Sequence, residues 1–242
     1  KVIVIKVGSN ILVNEKHSLR KKWLSSLVED VQKLQRKGSK IIIVSSGAIA
    51  LGRKILSKKK LTNLHEKQAA ASIGQIQLSQ EWQKAFAKCK IQSSQILITA
   101  EDLNERRKYL NIRNTIYSLM DLNVVPIINE NDTTSTEEIR FGDNDKLSAM
   151  IANVLSAELL ILLSDVNGLY TSNPKKSAQA KLITSVEEVN QQIEKYIDKD
   201  LSEFGSGGML AKVNAAKLCI QSGSTMIISN GLVNNPLGNI HP

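Results

Sequence analysis

Six short polar stretches carry the residues of this chain whose types and spacing could do chemistry. They are Lys6-Val7-Gly8-Ser9, Ser46-Gly47, Asn129-Glu130-Asn131-Asp132, Gly142-Asp143-Asn144-Asp145, Ser164-Asp165, and the run from Ser206 to Lys212. The set holds cations, glycines and carboxylates but no histidine and no cysteine. His17, His65 and His241 fall outside it, which argues against a histidine general base or a zinc site. Lys6 interrupts an apolar run, VIVIKV, where a charge is costly unless it is paired; the alternative is an edge strand whose lysine reaches solvent. Gly205, Gly207 and Gly208 leave room for close backbone approach to a ligand, and Lys212 follows them at a helix start. The third glycine of a GxGxxG fingerprint is missing. Gly47 and Gly52 have P-loop spacing, but Arg53 and Lys54 stand where that motif needs Lys and then Ser or Thr. Two lysines beside glycine-lined backbone donors suit phosphoryl transfer, in which positioning and charge stabilisation do most of the work.

The elements that must position these residues follow from hydrophobic periodicity. Apolar runs at 2–7, 41–44, 96–98, 124–128, 159–163 and 225–228 read as strands. Helical spacing of apolar residues marks 18–36, which Gly38 would close as a C′ glycine, then 49–56 and 66–88. Thr99 and Asp102 supply capping chemistry for a helix running through Leu122. Further helices are expected from Asp143, over 186–197, and after Lys212, where Val213, Ala216 and Ile220 face inward. The segment 133–141 lacks a helical period and reads as a hairpin or flap. In the segment 125–150, an apolar strand ends in Asn129 to Asp132, and Asp143 to Lys146 then open a helix. That segment reads either as a pair of ordinary turn-rich loops or as a ligand site. Strands alternating with helices predict an α/β fold, a three-layer αβα sandwich with a largely parallel open sheet. In such sheets ligands sit outside the carboxyl ends of the strands, where these polar stretches would meet. One domain over 1–242 is expected, with two lobes of one continuous sheet dividing near residue 150.

Composition narrows the partners. The net charge of +9, from 32 basic and 23 acidic residues, suits anionic ligands. The basic clusters at 20–22, 36–40, 58–60 and 175–176 have no interleaved aromatic residues, which disfavours a nucleic-acid platform. The apolar runs are too short to span a bilayer. Two cysteines, Cys89 and Cys219, make neither a disulfide framework nor a metal cluster. The opening residues do not have the pattern of a secretory leader, so a cytoplasmic location is expected.

A family resemblance is carried by IKVGSN at 5–10, VSSGAIALG at 44–52, KQAAASIGQ at 67–75, VPIINEND at 125–132, FGDNDKLSA at 141–149, LLSDVNGLYTSNP at 162–174 and GSGGMLAK at 205–212. In order and nearly end to end, these resemble the amino acid kinase family, whose fold is carbamate kinase-like, and within it the glutamate 5-kinase group. The resemblance implies transfer of the γ-phosphoryl group of ATP to the side-chain carboxylate of L-glutamate, the first step of proline biosynthesis. That acceptor is ionised at neutral pH, with a reference pKa of about 4.3, and needs no base. The obstacle is an anion approaching an anion, worth roughly 4 kcal/mol per unit-charge pair at about 4 Å and an effective dielectric of 20.

Position by position, the resemblance implies that Lys6 and Lys212 contact the transferring phosphoryl group and that Asp145 holds both lysines. Gly8 and Gly47 would offer backbone donors to the phosphates. Ser46, Asp132 and Asn144 would bind glutamate, with Asn129 and Asp143 as further contributors. Ser164, Asp165, Ser206, Gly207, Gly208, Met209, Leu210, Ala211 and Lys212 would line the ATP site, so that about 1–150 is the acceptor lobe and about 151–242 the nucleotide lobe. Mg2+ would be held mainly through nucleotide phosphates, without a protein metal site. Proline as feedback inhibitor and a homo-oligomer are further expectations. Many members carry a C-terminal PUA domain; these 242 residues are expected to form the kinase domain alone. The alternatives are a family member with another acceptor (acetylglutamate, aspartate, UMP or carbamate) and a non-catalytic regulatory or RNA-binding protein on the same fold.

Overall fold

The computed structural model describes residues 1–58, 60–135, 143–172, 174, 177–196, 208–238 and 240. Strands β1 (Val2–Val7), β2 (Lys40–Ser45), β4 (Val125–Glu130) and β5 (Leu159–Ser164) are buried along nearly their whole length. Near-continuous apolar runs of this kind belong to parallel strands covered on both faces. With β3 (Ser93–Ile98) and β8 (Thr225–Asn230) they form one parallel sheet in the order β3-β4-β2-β1-β5-β8. The short strands β6 (Leu169–Tyr170) and β7 (Leu182–Ile183) pair antiparallel apart from it.

Alternation along each strand sends side chains to two helical layers. Ile3, Ile5, Ile43, Ile127 and Ile161 pack against Trp23, Leu27, Leu51, Trp82 and Phe86, which come from α2 (Lys21–Arg36), α3 (Ala48–Ile55) and α4 (Leu64–Lys88). Val4, Val44, Ile128 and Leu162 pack against Ile116, Leu147, Ile151 and Ala215, from α5 (Arg106–Asp121), α6 (Asp143–Val154) and α8 (Gly208–Ser222). The three-layer αβα sandwich is therefore the one expected. A four-residue helix, α1 (Ser9–Leu12), follows β1 directly, and α7 occupies residues 191–196.

Helices α3 and α4 touch backbone to backbone. A Cβ on Gly52 would overlap the carbonyl of Ala70, and one on Gly74 would overlap the carbonyl of Ala48. Gly38 closes α2 as a C′ glycine with φ +85°, with Ser39 N–H donating back to Leu34 O at 3.1 Å.

The structure corrects two readings and excludes one alternative. The sheet places β1 at its centre, between β2 and β5, so Lys6 is no edge-strand lysine. The helix expected over 186–197 begins only at 191, because Asn190 Oδ1 accepts from the N–H groups of Gln192 and Ile193 and so caps it there. Val186 and Val189 pack instead beside Leu169, Ile193 and Val213. Thr99 and Asp102 do bond reciprocally, but they close a turn, and α5 starts after it at Arg106. Of the expected flap over 133–141, residues 136–141 lie outside the described residues.

Candidate active site

β1 is the strand from which the chain departs in both directions, to β2 on one side and later to β5 on the other. Its carboxyl end is a topological switch point, where open α/β sheets take their ligands. Lys6 sits there in register with Val44 and Leu162 and is 8% exposed. Asp145, in the first turn of α6, is 1% exposed. Its carboxylate bridges two ammonium groups, with Oδ1 2.5 Å from Lys6 Nζ and Oδ2 2.9 Å from Lys212 Nζ. Lys212 reaches it from the second turn of α8, the helix packed on α6. Burial pushes the Lys6 ammonium below its usual pKa; Asp145 opposes that shift, the Lys212 charge adds to it, and Asp165 opposes it again. Two cations share one anion, so the buried cluster keeps a net positive charge, suited to an anionic ligand.

Glycines flank the cluster. A Cβ on Gly8 would lie 3.5 Å from Lys6 Nζ, so bare backbone stands beside the ammonium. Gly47, with φ +111°, turns the chain from β2 into α3, and Ser46 N–H donates to Val7 O at 3.0 Å, tying this turn to the end of β1. Ser164, 7% exposed at the end of β5, donates to the Asp165 carboxylate at 3.2 Å. Gly208, Met209, Leu210 and Ala211 are the first described residues of α8. Ser206 and Gly207 lie outside the described residues.

Next to the lysines is a cluster of amides. Asn144 Nδ2, from the first turn of α6, donates to Ser46 Oγ at 2.6 Å, Asn129 Oδ1 at 3.1 Å and Ser45 O at 3.3 Å. Asn144 Oδ1 is buried with no hydrogen-bond partner among the described residues. Asp132 lies half-buried in the turn after β4, and Asp143 is the first residue of α6. The structure thus brings Lys6, Lys212 and Asp145 into one contact and Ser46, Asn129 and Asn144 into another.

Three participants escaped the sequence reading. Gln75 Oε1 accepts from Asn129 Nδ2 at 2.8 Å, the Ser45 carbonyl accepts from Asn144, and Trp82 Nε1 donates to Ser45 Oγ at 2.9 Å. Gln75 lies in KQAAASIGQ and Ser45 in VSSGAIALG, so both motifs were visible. Trp82 reads correctly as core, but periodicity says nothing about its indole N–H.

The sequence pattern of the amino acid kinase family matches residues 1–230. The chain belongs to the amino acid kinase family. It is 50% identical over 241 residues to a glutamate 5-kinase of Pelagibacter ubique, covering 99% of this chain and 66% of that protein. A glutamate 5-kinase of Brucella abortus is 48% identical over 239 residues, covering 98% of this chain and 63% of the relative. The chain thus spans just under two thirds of the length of these relatives. Among solved structures, carbamate kinase from Giardia lamblia bound to AMP-PNP superposes with a TM-score of 0.65 at 16% identity, over 97% of this chain and 93% of that one. The isopentenyl phosphate kinase of T. acidophilum, in its product complex, gives 0.66 at 14% identity, over 98% and 93%. These two share the amino acid kinase fold. Among the described residues no helix is long and apolar enough to cross a membrane, and no three His, Cys, Asp or Glu side chains converge to hold a metal ion.

Proposed function

We propose that the chain transfers the γ-phosphoryl group of ATP to the side-chain carboxylate of L-glutamate, giving L-glutamyl 5-phosphate and ADP, the first step of proline biosynthesis. One observation carries the chemistry: Asp145 holding Lys6 and Lys212 together at the carboxyl end of β1. The identity to glutamate 5-kinases over nearly the whole chain supports the choice of acceptor.

The acceptor carboxylate is already an anion, so its oxygen attacks phosphorus without losing a proton. The new bond forms as the bond from phosphorus to the bridging oxygen of ADP breaks. Lys6 and Lys212 bind the equatorial oxygens of the moving group, whose charge they offset, and Asp145 holds both ammonium groups in place through the step. The backbone at Gly8 and Gly47 donates to the phosphates. Ser164, Asp165 and the stretch from Ser206 through Gly208 to Lys212 line the nucleotide in the lobe of residues 151–242. Ser46, Asn129, Asp132, Asp143 and Asn144 hold glutamate in the lobe of residues 1–150, and Asn144 Oδ1 supplies an acceptor for its ammonium group. Mg2+ fits as a companion of the nucleotide, since both Asp145 oxygens are engaged by lysines; bound to the phosphates, it lowers their charge. Proline as feedback inhibitor, a homo-oligomer and a cytoplasmic location belong to the same proposal.

The test is ADP release with hydroxylamine present, across glutamate, acetylglutamate, aspartate, UMP and carbamate. Glutamate alone should give ADP together with a hydroxamate, the trapped acyl phosphate. ADP release with another acceptor and no glutamate hydroxamate would refute the reading.

A further inference from the structure

We propose that Gln75, on α4, is a positioning residue that fixes which way the pocket amides face, so that Asn144 offers an oxygen to its ligand. This rests on the reading of the pocket as the site of an amino acid bearing an ammonium group. The hydrogen bonds of the Gln75 side chain run to Ser79 and Asn129; it acts through Asn129 and Asn144.

The available protons set the direction of each hydrogen bond from Ser79 to Asn144. Ser79 Oγ has one proton, and the Gln75 backbone carbonyl, which can only accept, takes it at 2.9 Å. The same oxygen must therefore accept from Gln75, whose Nε2 lies 3.2 Å away. That turns Gln75 Oε1 toward Asn129, which must answer with Nδ2, at 2.8 Å. Asn129 Oδ1 is then left for Asn144, which answers with Nδ2 at 3.1 Å. The Ser45 carbonyl, another pure acceptor, demands the same orientation of Asn144 from the other side, but at 3.3 Å. The amides of Gln75, Asn129 and Asn144 thus all point their NH2 groups away from Asn144 Oδ1, which is buried with no hydrogen-bond partner among the described residues. An ammonium group is the complement of such an oxygen, and a carboxylate is not.

Gln75 is the member of this chain with the least redundant role. Ser46 Oγ, 2.6 Å from Asn144, can donate or accept and so imposes no direction. Behind Gln75 lies a cavity of about 410 Å3, bordered also by Ser79, Ser94, Gln95 and Asn129. Without the Gln75 oxygen, Asn129 would face this cavity, where water either donates or accepts. Its amide could then turn over, leaving Asn144 with a misdirected neighbour.

The experiment compares Gln75→Met, which keeps length but removes the acceptor, with Gln75→Glu, which keeps an acceptor toward Asn129. Thermal unfolding of both variants first establishes that they fold. In the glutamate-hydroxamate assay Gln75→Met should raise the KM for glutamate about 10-fold, the scale set by one misdirected buried polar group. The KM for ATP and kcat should stay within about twofold, and Gln75→Glu should recover most of the loss. An unchanged glutamate KM in Gln75→Met, equal damage in Gln75→Glu, or a fall in kcat alone would overturn the inference. Side-chain amide signals of the 15N-labelled protein without substrate read the chain independently of any reaction. In the wild type Asn129 and Asn144 should each give one pair of slowly exchanging protons; in Gln75→Met these should double or exchange fast, and unaltered signals would overturn the inference. Wild-type protein without glutamate turnover would instead refute the functional reading, with these spectra still deciding what Gln75 does.

Discussion

Asp145→Asn tests the lysine cluster most directly, because it removes charge and little volume. At about 4 Å and an effective dielectric of 20, each ammonium–carboxylate attraction is worth roughly 4 kcal/mol. Two ammonium groups touching one carboxylate also repel each other; at about 6 Å that repulsion is roughly 3 kcal/mol. Asp145 is 1% exposed and Lys6 8%, so water can do little to replace the lost partner. Breaking a buried pair on one side costs about 3–5 kcal/mol, which for a domain of this size lowers Tm by about 6–20 °C. Urea unfolding followed by the fluorescence of the buried Trp23 and Trp82 measures the loss at pH 7. The pH dependence has a definite sign. Burial lowers the Lys6 pKa in the folded state, so between that value and the ordinary lysine value the unfolded chain binds more protons and stability rises with pH. Removing Asp145, which opposes the lowering, extends this window toward neutral pH. The deficit of Asp145→Asn should therefore shrink from pH 7 to pH 10, and adding Lys6→Met should restore part of it. Equal unfolding midpoints for variant and wild type, or a deficit independent of pH, would refute this account of the cluster.

Three other outcomes are expected. Lys212→Ala should lower kcat for the glutamate reaction by orders of magnitude, whereas Asp132→Ala should chiefly raise the glutamate KM; steady-state kinetics in both substrates separates the two effects. The alkaline limb of kcat/KM for ATP, which reports the free enzyme, should fall below the ordinary lysine value, because in the proposed role Lys6 carries its proton to meet phosphate, and burial lowers its pKa; Lys212→Arg should leave that limb in place. Gly74→Ala should unfold the chain or cost several kcal/mol in urea titrations, since its Cβ would overlap the Ala48 carbonyl.

The middle of the sheet was legible because β1, β2, β4 and β5 are buried on both faces and so read as near-continuous apolar runs. Lys6 was conspicuous for the same reason: a charge in such a run needs a partner, and Asp145 supplies it. Helix ends were harder, because they depend on single side chains. Asn190 shortens one helix through its Oδ1, and periodicity gives an asparagine no weight. Gln75 was hidden differently. It lies half-buried on a long helix among residues of every polarity, and only contact with Asn129, 54 positions away, marks it out. The pairing of β1 with both β2 and β5 is likewise a fact of topology.

The glycine contact between α3 and α4 constrains how this architecture diversifies. Helices meeting at bare backbone cannot slide or part by the width of a side chain, so Gly52 and Gly74 act as a fixed gauge. One side of that gauge carries the turn at Gly47, and the other carries Gln75, the residue after Gly74. The Gly47 turn and the pocket amides are therefore held at one separation. A descendant taking a larger or differently charged acceptor would have to remodel the opposite wall, between β4 and α6. Sequence drift among such enzymes should concentrate there, while the α3–α4 wall stays as it is.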